Sequence, residues 1–369
     1  MRNPPTNVFL IETPLQLLNA IEAKNCFGLL NNCLIVRLDT NCYREIFKRL
    51  IDEREWDCVQ YITFHNKTIT LASKLLGQRV SDKIRGFCYD YQQYLNRKKL
   101  DDIALSLGKV KNAYLGNYMK SLYDMKYMYH FANTLAYENL YILDDGTDTL
   151  LISDERKNIC SEKESPEKLG SWFLRLKATL RKTFIDWNDK DADMVTFFSA
   201  YDIEVGNGDR LIRNEYTYLR EIATHTEPSD EVFFLGQWLV EDGYMKEDLY
   251  LDYLTKVKDY FANERLFYIP HPRESVTMIN KIKESLGFNI RRFDVPIEYE
   301  ISIRENMPKV LASFFSSALK NCQMILGQKV RIKAFYIAPE HLMRAPDLAR
   351  KIYEQYEDIA DENFEVIKL

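Results

Sequence analysis

Hydrophobic positions along the chain fall into two alternating kinds of run. Short β-branched and aromatic runs at Val8–Glu12, Leu34–Leu38, Val59–Phe64, Ala113–Tyr118, Leu140–Leu143 and Val195–Ala200 are strand candidates in the first half. Longer stretches with helical spacing separate them. The second half repeats the theme with Val232–Leu235, Leu266–Ile269, Arg291–Val295, Val310–Phe315 and Arg331–Ile337, and with helices such as Lys246–Ala262 and Val276–Leu286 between. Strands spaced by helices predict parallel sheets of βαβ units, one sheet per half. The expectation is an α/β chain of two Rossmann-type parallel-sheet domains facing a cleft: a first domain over 1–210, a second over 211–339, and a linker within Leu211–Glu231. Asp347–Glu362 reads as a long amphipathic helix, and residues 340–369 are expected to pack back on the first domain. In such sheets ligands bind at the carboxyl ends of strands, so the loops there are where chemistry is sought.

Length agrees with this division, because 369 residues suit two domains of about 150 residues each. The net charge of −5 supplies no basic face for phosphates, which excludes a general nucleic-acid binder and favours small-molecule or glycan partners. Seven cysteines without C-x-x-C spacing read as reduced thiols of a cytosolic protein, not as a zinc site or disulfide frame. The first residues lack the apolar core of a signal peptide, and no run approaches the ~18 apolar residues of a membrane span. The expected location is cytoplasmic, or peripheral at the inner face of the cytoplasmic membrane.

Five loops carry candidate chemistry. "LYILDDGTDTL" is a strand that delivers Asp144, Asp145, Gly146 and Thr147 to a loop: paired carboxylates, one able to raise the pKa of the other, beside a glycine that admits a ligand. An Asp-Gly turn is the plainer account. A phosphatase loop of the D-x-D-G-T kind is disfavoured, because Leu143 stands where the nucleophilic aspartate would be. "LFYIPHPRES" stops a strand on Pro270, His271 and Pro272, which hold the histidine stiffly just past the strand end, with Arg273 as a fixed charge beside it. The pair suits a phosphate, and a structural histidine is the alternative. "LASFFSSALKN" runs a strand into Ser316 and Ser317 at a helix start, where hydroxyls and free N–H groups form an anion site or a simple cap.

"FFLGQWLVEDG" sets Gly236 and Gln237 after the first strand of the second domain, where a base or ribose can lie against backbone, and adds Glu241-Asp242-Gly243, a second acid-acid-glycine triplet. "FLIETPLQLLNA" places Thr13, Pro14 and Gln16 as cap, N1 proline and N3 glutamine of a helix, a capping box that also presents a helix N-terminus to a ligand carboxylate. "DKDAD" at 189–193 belongs to a charged stretch and lacks the glycine of a calcium loop. No metal site is expected.

Taken in order, "TPLQ", "DDGT", "IPHPRES" and "FFSSAL" resemble the bacterial sialyltransferases of glycosyltransferase family 52 and the capsular polysialyltransferases. The resemblance spans nearly the whole chain. It implies a GT-B-like fold, an inverting transfer from a CMP-sugar to a hydroxyl of a bacterial surface glycan (lipooligosaccharide or capsule), and no cofactor or metal. It also implies Asp145 as base with Asp144 beside it, His271 as acid or phosphate partner, and Ser316 and Ser317 as phosphate ligands. Gly236, Gln237, Pro272, Arg273 and Glu298 become donor contacts, and Thr13, Gln16, Gly146 and Thr147 contacts of the acceptor or donor sugar. Relatives differ in the source of the base, so Glu241 and Asp242 stay open as alternatives. CMP-Kdo, CMP-pseudaminic acid or a UDP-sugar are alternative donors, and a non-catalytic glycan- or nucleotide-binding protein is the alternative class.

One further stretch stands out. "SWFLRLKATLRKTFIDW", 171–187, combines aromatic residues with Arg175, Lys177, Arg181 and Lys182 in an otherwise acidic chain. It fits either a helix on an anionic bilayer or one packed on the first domain or on the second subunit of a homodimer.

Overall fold

The computed structural model describes residues 5–38, 41–64, 82–119, 126–159, 190–206, 208–225, 227–359 and 362–368. The stretch 171–187 lies outside them. Contacts divide the chain into two units, Met1–Asn41 with Ile51–Arg213, and Cys42–Leu50 with Asn214–Leu369. The chain passes between the units after Asn41, after Leu50 and after Arg213.

Among the described residues the first unit holds seven strands: β1 (Asn7–Ile11), β2 (Asn32–Arg37), β3 (Cys58–Ile62), β4 (Lys109–Leu115), β5 (Ala136–Leu143), β6 (Thr196–Ser199) and β7 (Arg210–Arg213). All pair in parallel, in the order β3-β2-β1-β4-β5-β6-β7. The winding reverses between β1 and β4, the switch point at which sheets of this kind open a crevice. Every residue of β1 is buried, as a central parallel strand requires. Phe9, Tyr114 and Tyr141 stack across three neighbouring strands, with centroids 4.4 and 4.5 Å apart. β7 lies in the stretch expected to be linker, because Leu211 and Ile212 are too few to stand out as a run.

At the other end of the same strands the sheet is tied by polar groups. Asn139 donates to Asn112 Oδ1 (3.0 Å), Asn112 to Asn7 Oδ1 (2.7 Å), Asn7 to Asn32 Oδ1 (2.9 Å), and Asn32 to the Leu29 carbonyl (2.9 Å). The four asparagines are register partners on β5, β4, β1 and β2. Asn7, Asn32 and Asn112 are buried, so a slip by one residue would set apolar side chains against unpaired amides.

The second unit has β9 (Glu231–Leu235), β10 (Arg265–Ile269), β11 (Asn289–Ile290), β13 (Val310–Ser313), β14 (Arg331–Tyr336) and β15 (Phe364–Lys368), parallel in the order β11-β10-β9-β13-β14-β15. A separate short pair joins β8 (Glu227–Pro228) to β12 (Asn306–Met307). The core gathers Val232, Phe234, Tyr268, Leu254, Phe314 and Phe335. Both units are thus Rossmann-type α/β sheets.

Two expectations are corrected here. Residues 340–369 belong to the second unit, not to the first: helix Pro346–Glu357 buries Ala349, Ile352, Tyr353 and Tyr356, and β15 extends the second sheet by pairing with β14. The run Arg291–Val295 is not a strand. Pairing ends at Ile290, after which the Arg291 N–H still reaches the Tyr268 carbonyl while its guanidinium turns to Glu231 at 2.5 and 2.8 Å. Among the described residues no helix is long and apolar enough to cross a membrane.

Candidate active site

Each unit gathers its candidates, Glu298 apart, at the carboxyl ends of its central strands. In the first unit, β1 leads into helix Pro14–Cys26, whose N-cap Thr13 accepts the Gln16 N–H at 3.2 Å. Gln16 reaches back one residue further than a simple capping box, its Oε1 accepting the Glu12 N–H at 2.8 Å. It packs against the end of β4 so closely that a Cβ at Gly116 would overlap its side chain.

β5 ends in the acidic pair, and the two carboxylates part company there. Asp144 is buried, with Oδ2 accepting the Ala200 N–H (2.6 Å) and its carbonyl accepting from Asn19 (3.0 Å); it braces the ends of β5 and β6. Asp145 is half-buried at the open end, where Asn117 donates to Oδ2 (2.7 Å) and Thr13 to Oδ1 (3.3 Å). Burial, and then the nearby Asp148 carboxylate, push its pKa up to about 6, against the opposing bonds from Asn117, Gln16 and Thr13. That value suits a general base near neutral pH. Gly146 makes the turn at φ 64°, a conformation that glycine adopts without strain. Thr147 pairs in an isolated bridge with Asp145, and the Thr149 hydroxyl accepts the Asp145 N–H (3.0 Å). Thr13, Gln16, Asp145, Gly146 and Thr147 thus come together; Asn117, which the sequence did not single out, completes the set.

In the second unit β10 ends at Ile269, and His271 to Glu274 close a turn in which the Glu274 N–H donates to the His271 carbonyl at 3.0 Å. Pro272 sits at the second position of that turn, where its fixed φ is favourable. The Arg273 N–H donates to His271 Nδ1 at 3.1 Å, so Nδ1 is an acceptor and the ring proton belongs on Nε2. Burial, with the Arg273 charge, lowers the pKa of His271 to about 4. The imidazole is therefore neutral near pH 7 and offers a hydrogen-bond donor from Nε2. Trp238 lies parallel to it (16°, 6.1 Å) and beneath the Arg273 guanidinium (4.6 Å). Trp238 was not among the sequence candidates, although it stands one residue after Gln237.

Gly236 continues the ladder from β9 with its N–H on the Ile269 carbonyl (2.8 Å), and Gln237 N–H donates to Tyr250 (3.1 Å). β13 delivers Ser316 and Ser317 to helix Ser317–Leu326. Ser316 is the N-cap residue, but its hydroxyl makes no capping bond. Its carbonyl is held instead by the Tyr356 hydroxyl at 2.6 Å. Gly236, Gln237, His271, Pro272, Arg273, Ser316 and Ser317 therefore all stand at the carboxyl ends of three adjacent strands, β10, β9 and β13. Glu298 does not stand on those loops. It is buried on helix Ile297–Ile303, accepts from Asn321 at 3.1 Å, and has its pKa raised by burial. Glu241 accepts the Ser275 N–H (2.8 Å) at the start of the following helix, and Asp242 pairs with Arg344 (3.2 Å).

The family model for alpha-2,8-polysialyltransferase (POLYST) matches residues 202–332, less than half of the chain. Solved structures with a similar chain path include TcCGT1 in complex with UDP (TM-score 0.49, 10% identity, covering 99% of this chain and 86% of that chain). Others are UGT89C1 of Arabidopsis thaliana complexed with UDP (0.46, 9%, 94% and 82%) and a glycosyl transferase family 9 protein from Veillonella parvula DSM 2008 (0.38, 8%, 89% and 80%). No curated protein matches. The family match supports a glycosyltransferase, an enzyme that takes a nucleotide-sugar donor and a glycan acceptor.

Proposed function

We propose that this glycosyltransferase uses a CMP-sugar, sialic acid or a related nonulosonic acid, and transfers the sugar with inversion to a hydroxyl of a bacterial surface glycan. The observation that carries this reading is the polysialyltransferase match over 202–332, because that stretch contains Gly236, Gln237, His271, Pro272, Arg273, Ser316, Ser317 and Glu298.

In the proposed reaction the acceptor oxygen attacks the anomeric carbon as the bond from that carbon to the CMP phosphate oxygen breaks. The Asp145 carboxylate takes the acceptor proton, a role supported by its raised pKa. The departing phosphate carries charge that His271 Nε2–H, the Arg273 guanidinium, the two serine hydroxyls and the N-terminus of helix Ser317–Leu326 can stabilise without a metal ion. A Ser316 hydroxyl not engaged in capping supports this assignment. Thr13, Gln16, Gly146 and Thr147 are assigned to the sugar side. The buried place of Glu298 gives its nucleotide contact less support. A peripheral place at the inner membrane face, resting on the sequence 171–187, and a homodimer belong to the same proposal.

The test is CMP release by the full chain from CMP-sialic acid, CMP-Kdo and CMP-pseudaminic acid, against UDP release from UDP-sugars, in EDTA. Turnover of a CMP-sugar is expected, and His271→Ala should lower kcat by about a hundredfold. Turnover of UDP-sugars alone, or activity that returns only with Mg²⁺ or Mn²⁺, would overturn the reading.

A further inference from the structure

Beneath the His271 turn lies a carboxyl that none of these roles uses. Glu274 is buried, and its Oε2 accepts the His271 N–H at 2.5 Å while its own N–H donates to the His271 carbonyl at 3.0 Å. It thus grips both backbone polar groups of one residue. Its Oε1 meets the Tyr268 hydroxyl at 2.5 Å; Tyr268 lies 3.0 Å from the Tyr250 hydroxyl, which accepts the Gln237 N–H at 3.1 Å. A chain of four directly bonded groups therefore links the loop after β9 to the loop after β10, and both tyrosines are fully buried. Gly236 leaves the room for it, because a Cβ there would overlap the Tyr268 hydroxyl and the Glu274 carboxylate. Inside such a network each deletion strands a partner, so the loops are held to one arrangement.

We propose that Glu274 is the positioning residue for His271, fixing through Tyr268 and Tyr250 the backbone from which the imidazole and Arg273 present their donors. The proposal rests on the reading of His271 as a phosphate partner. Burial pushes the Glu274 carboxyl up to about 8, and Glu241 adds to the shift while Tyr268, the His271 N–H and Arg292 oppose it. The Tyr268 hydroxyl donates to Oε1, so both carboxyl oxygens act as acceptors. Glutamine keeps an oxygen on the His271 N–H and can meet the Tyr268 oxygen with its amide, whereas alanine keeps neither contact.

The test uses the full chain with ¹⁵N-labelled histidine, of which there are five to resolve. In the wild type and in Glu274→Gln, the His271 ring should keep its proton on Nε2 and titrate near pH 4, with CMP-sugar kcat/KM within about threefold of each other. In Glu274→Ala the fixed tautomer should be lost, the midpoint should move towards the ordinary value, and kcat/KM should fall by about tenfold or more, mainly in kcat. Tyr268→Phe, which cuts the link to Tyr250 and keeps the carboxyl, should move the same signals in the same direction and decides the matter if the alanine variant does not fold. Unchanged His271 signals in Glu274→Ala, or in Tyr268→Phe where the alanine variant does not fold, would overturn the proposal. The ring signals do not depend on the donor. A wild type that turns over no CMP-sugar but shows the expected shifts overturns the function and leaves Glu274 in place, whereas normal turnover with unmoved signals does the reverse.

Discussion

Asp145 and His271 are moved by the same force in opposite directions. Burial disfavours charge, so it raises a carboxyl and lowers an imidazole, bringing the first to about 6 and the second to about 4. For Asp145 the folded pKa lies above the ordinary value of 3.8. Its contribution to stability is accordingly full below about 3.8 and lost as pH rises through about 6. Asp145→Asn removes that titration. The variant should be inactive, yet relative to wild type it should gain about 1 kcal/mol at pH 8 over pH 4, allowing for solvent around a half-buried group, or roughly 2–4 °C in Tm. Thermal melts at the two pH values check this; a variant equally destabilised at both would contradict it. Of this chemistry, the DDGT and PHPR residues were legible in the sequence. Which of two adjacent aspartates faces outward was not, because that depends on Ala200, which is 56 residues away. Asn117 and Glu274 were missed for a similar reason: their partners are set by packing, and no local pattern marks them.

At the scale of elements, strand-to-helix junctions position every candidate except Glu298, and they were read largely from punctuation: the prolines after β10, the glycine after β5, the serines after β13. Helix Val276–Leu286 has the bounds that its spacing predicts, with Ser275 capping it at 3.1 Å. The failure at Arg291–Val295 shows the limit of such reading, since a run of suitable residues does not pair when its first arginine is drawn into an ion pair. The junction at Ser316 also separates two uses of a serine. A capping hydroxyl is worth about 1 kcal/mol to a helix, and this one makes no such bond. Changing Ser316 and Ser317 together to alanine should therefore leave Tm within a degree or two, while raising the KM for the donor by about tenfold through lost phosphate contacts. A large fall in Tm with unchanged KM would return the pair to a structural role.

For the whole molecule, alternation of strands and helices conveyed two parallel-sheet units but not the place of Cys42–Leu50 in the second of them. It did not convey that the chain's last strand completes the second sheet. The segment Phe364–Lys368 mixes apolar with charged residues without regular alternation, and its pairing with β14 could not be foreseen from five residues. The Tyr356 hydroxyl, on helix Pro346–Glu357 before that strand, donates to the Ser316 carbonyl, so this helix supports a loop 40 residues earlier.

The asparagines that cross the first sheet constrain how such a sequence can diverge. Each amide gives its hydrogen to the next in one direction, so Asn7, Asn32, Asn112 and Asn139 behave as a single inherited character distributed over four strands. A step that replaces one leaves its neighbours unpaired at a cost of about 1–3 kcal/mol each, which makes the intermediates between an all-amide row and an all-apolar row less fit than either end. A library randomised at these four positions and selected for folded protein should return complete rows of both kinds and few mixed ones. The free mixing of single substitutions would show that the row carries no such constraint. Where the constraint holds, the starts of these four strands change together or stand still.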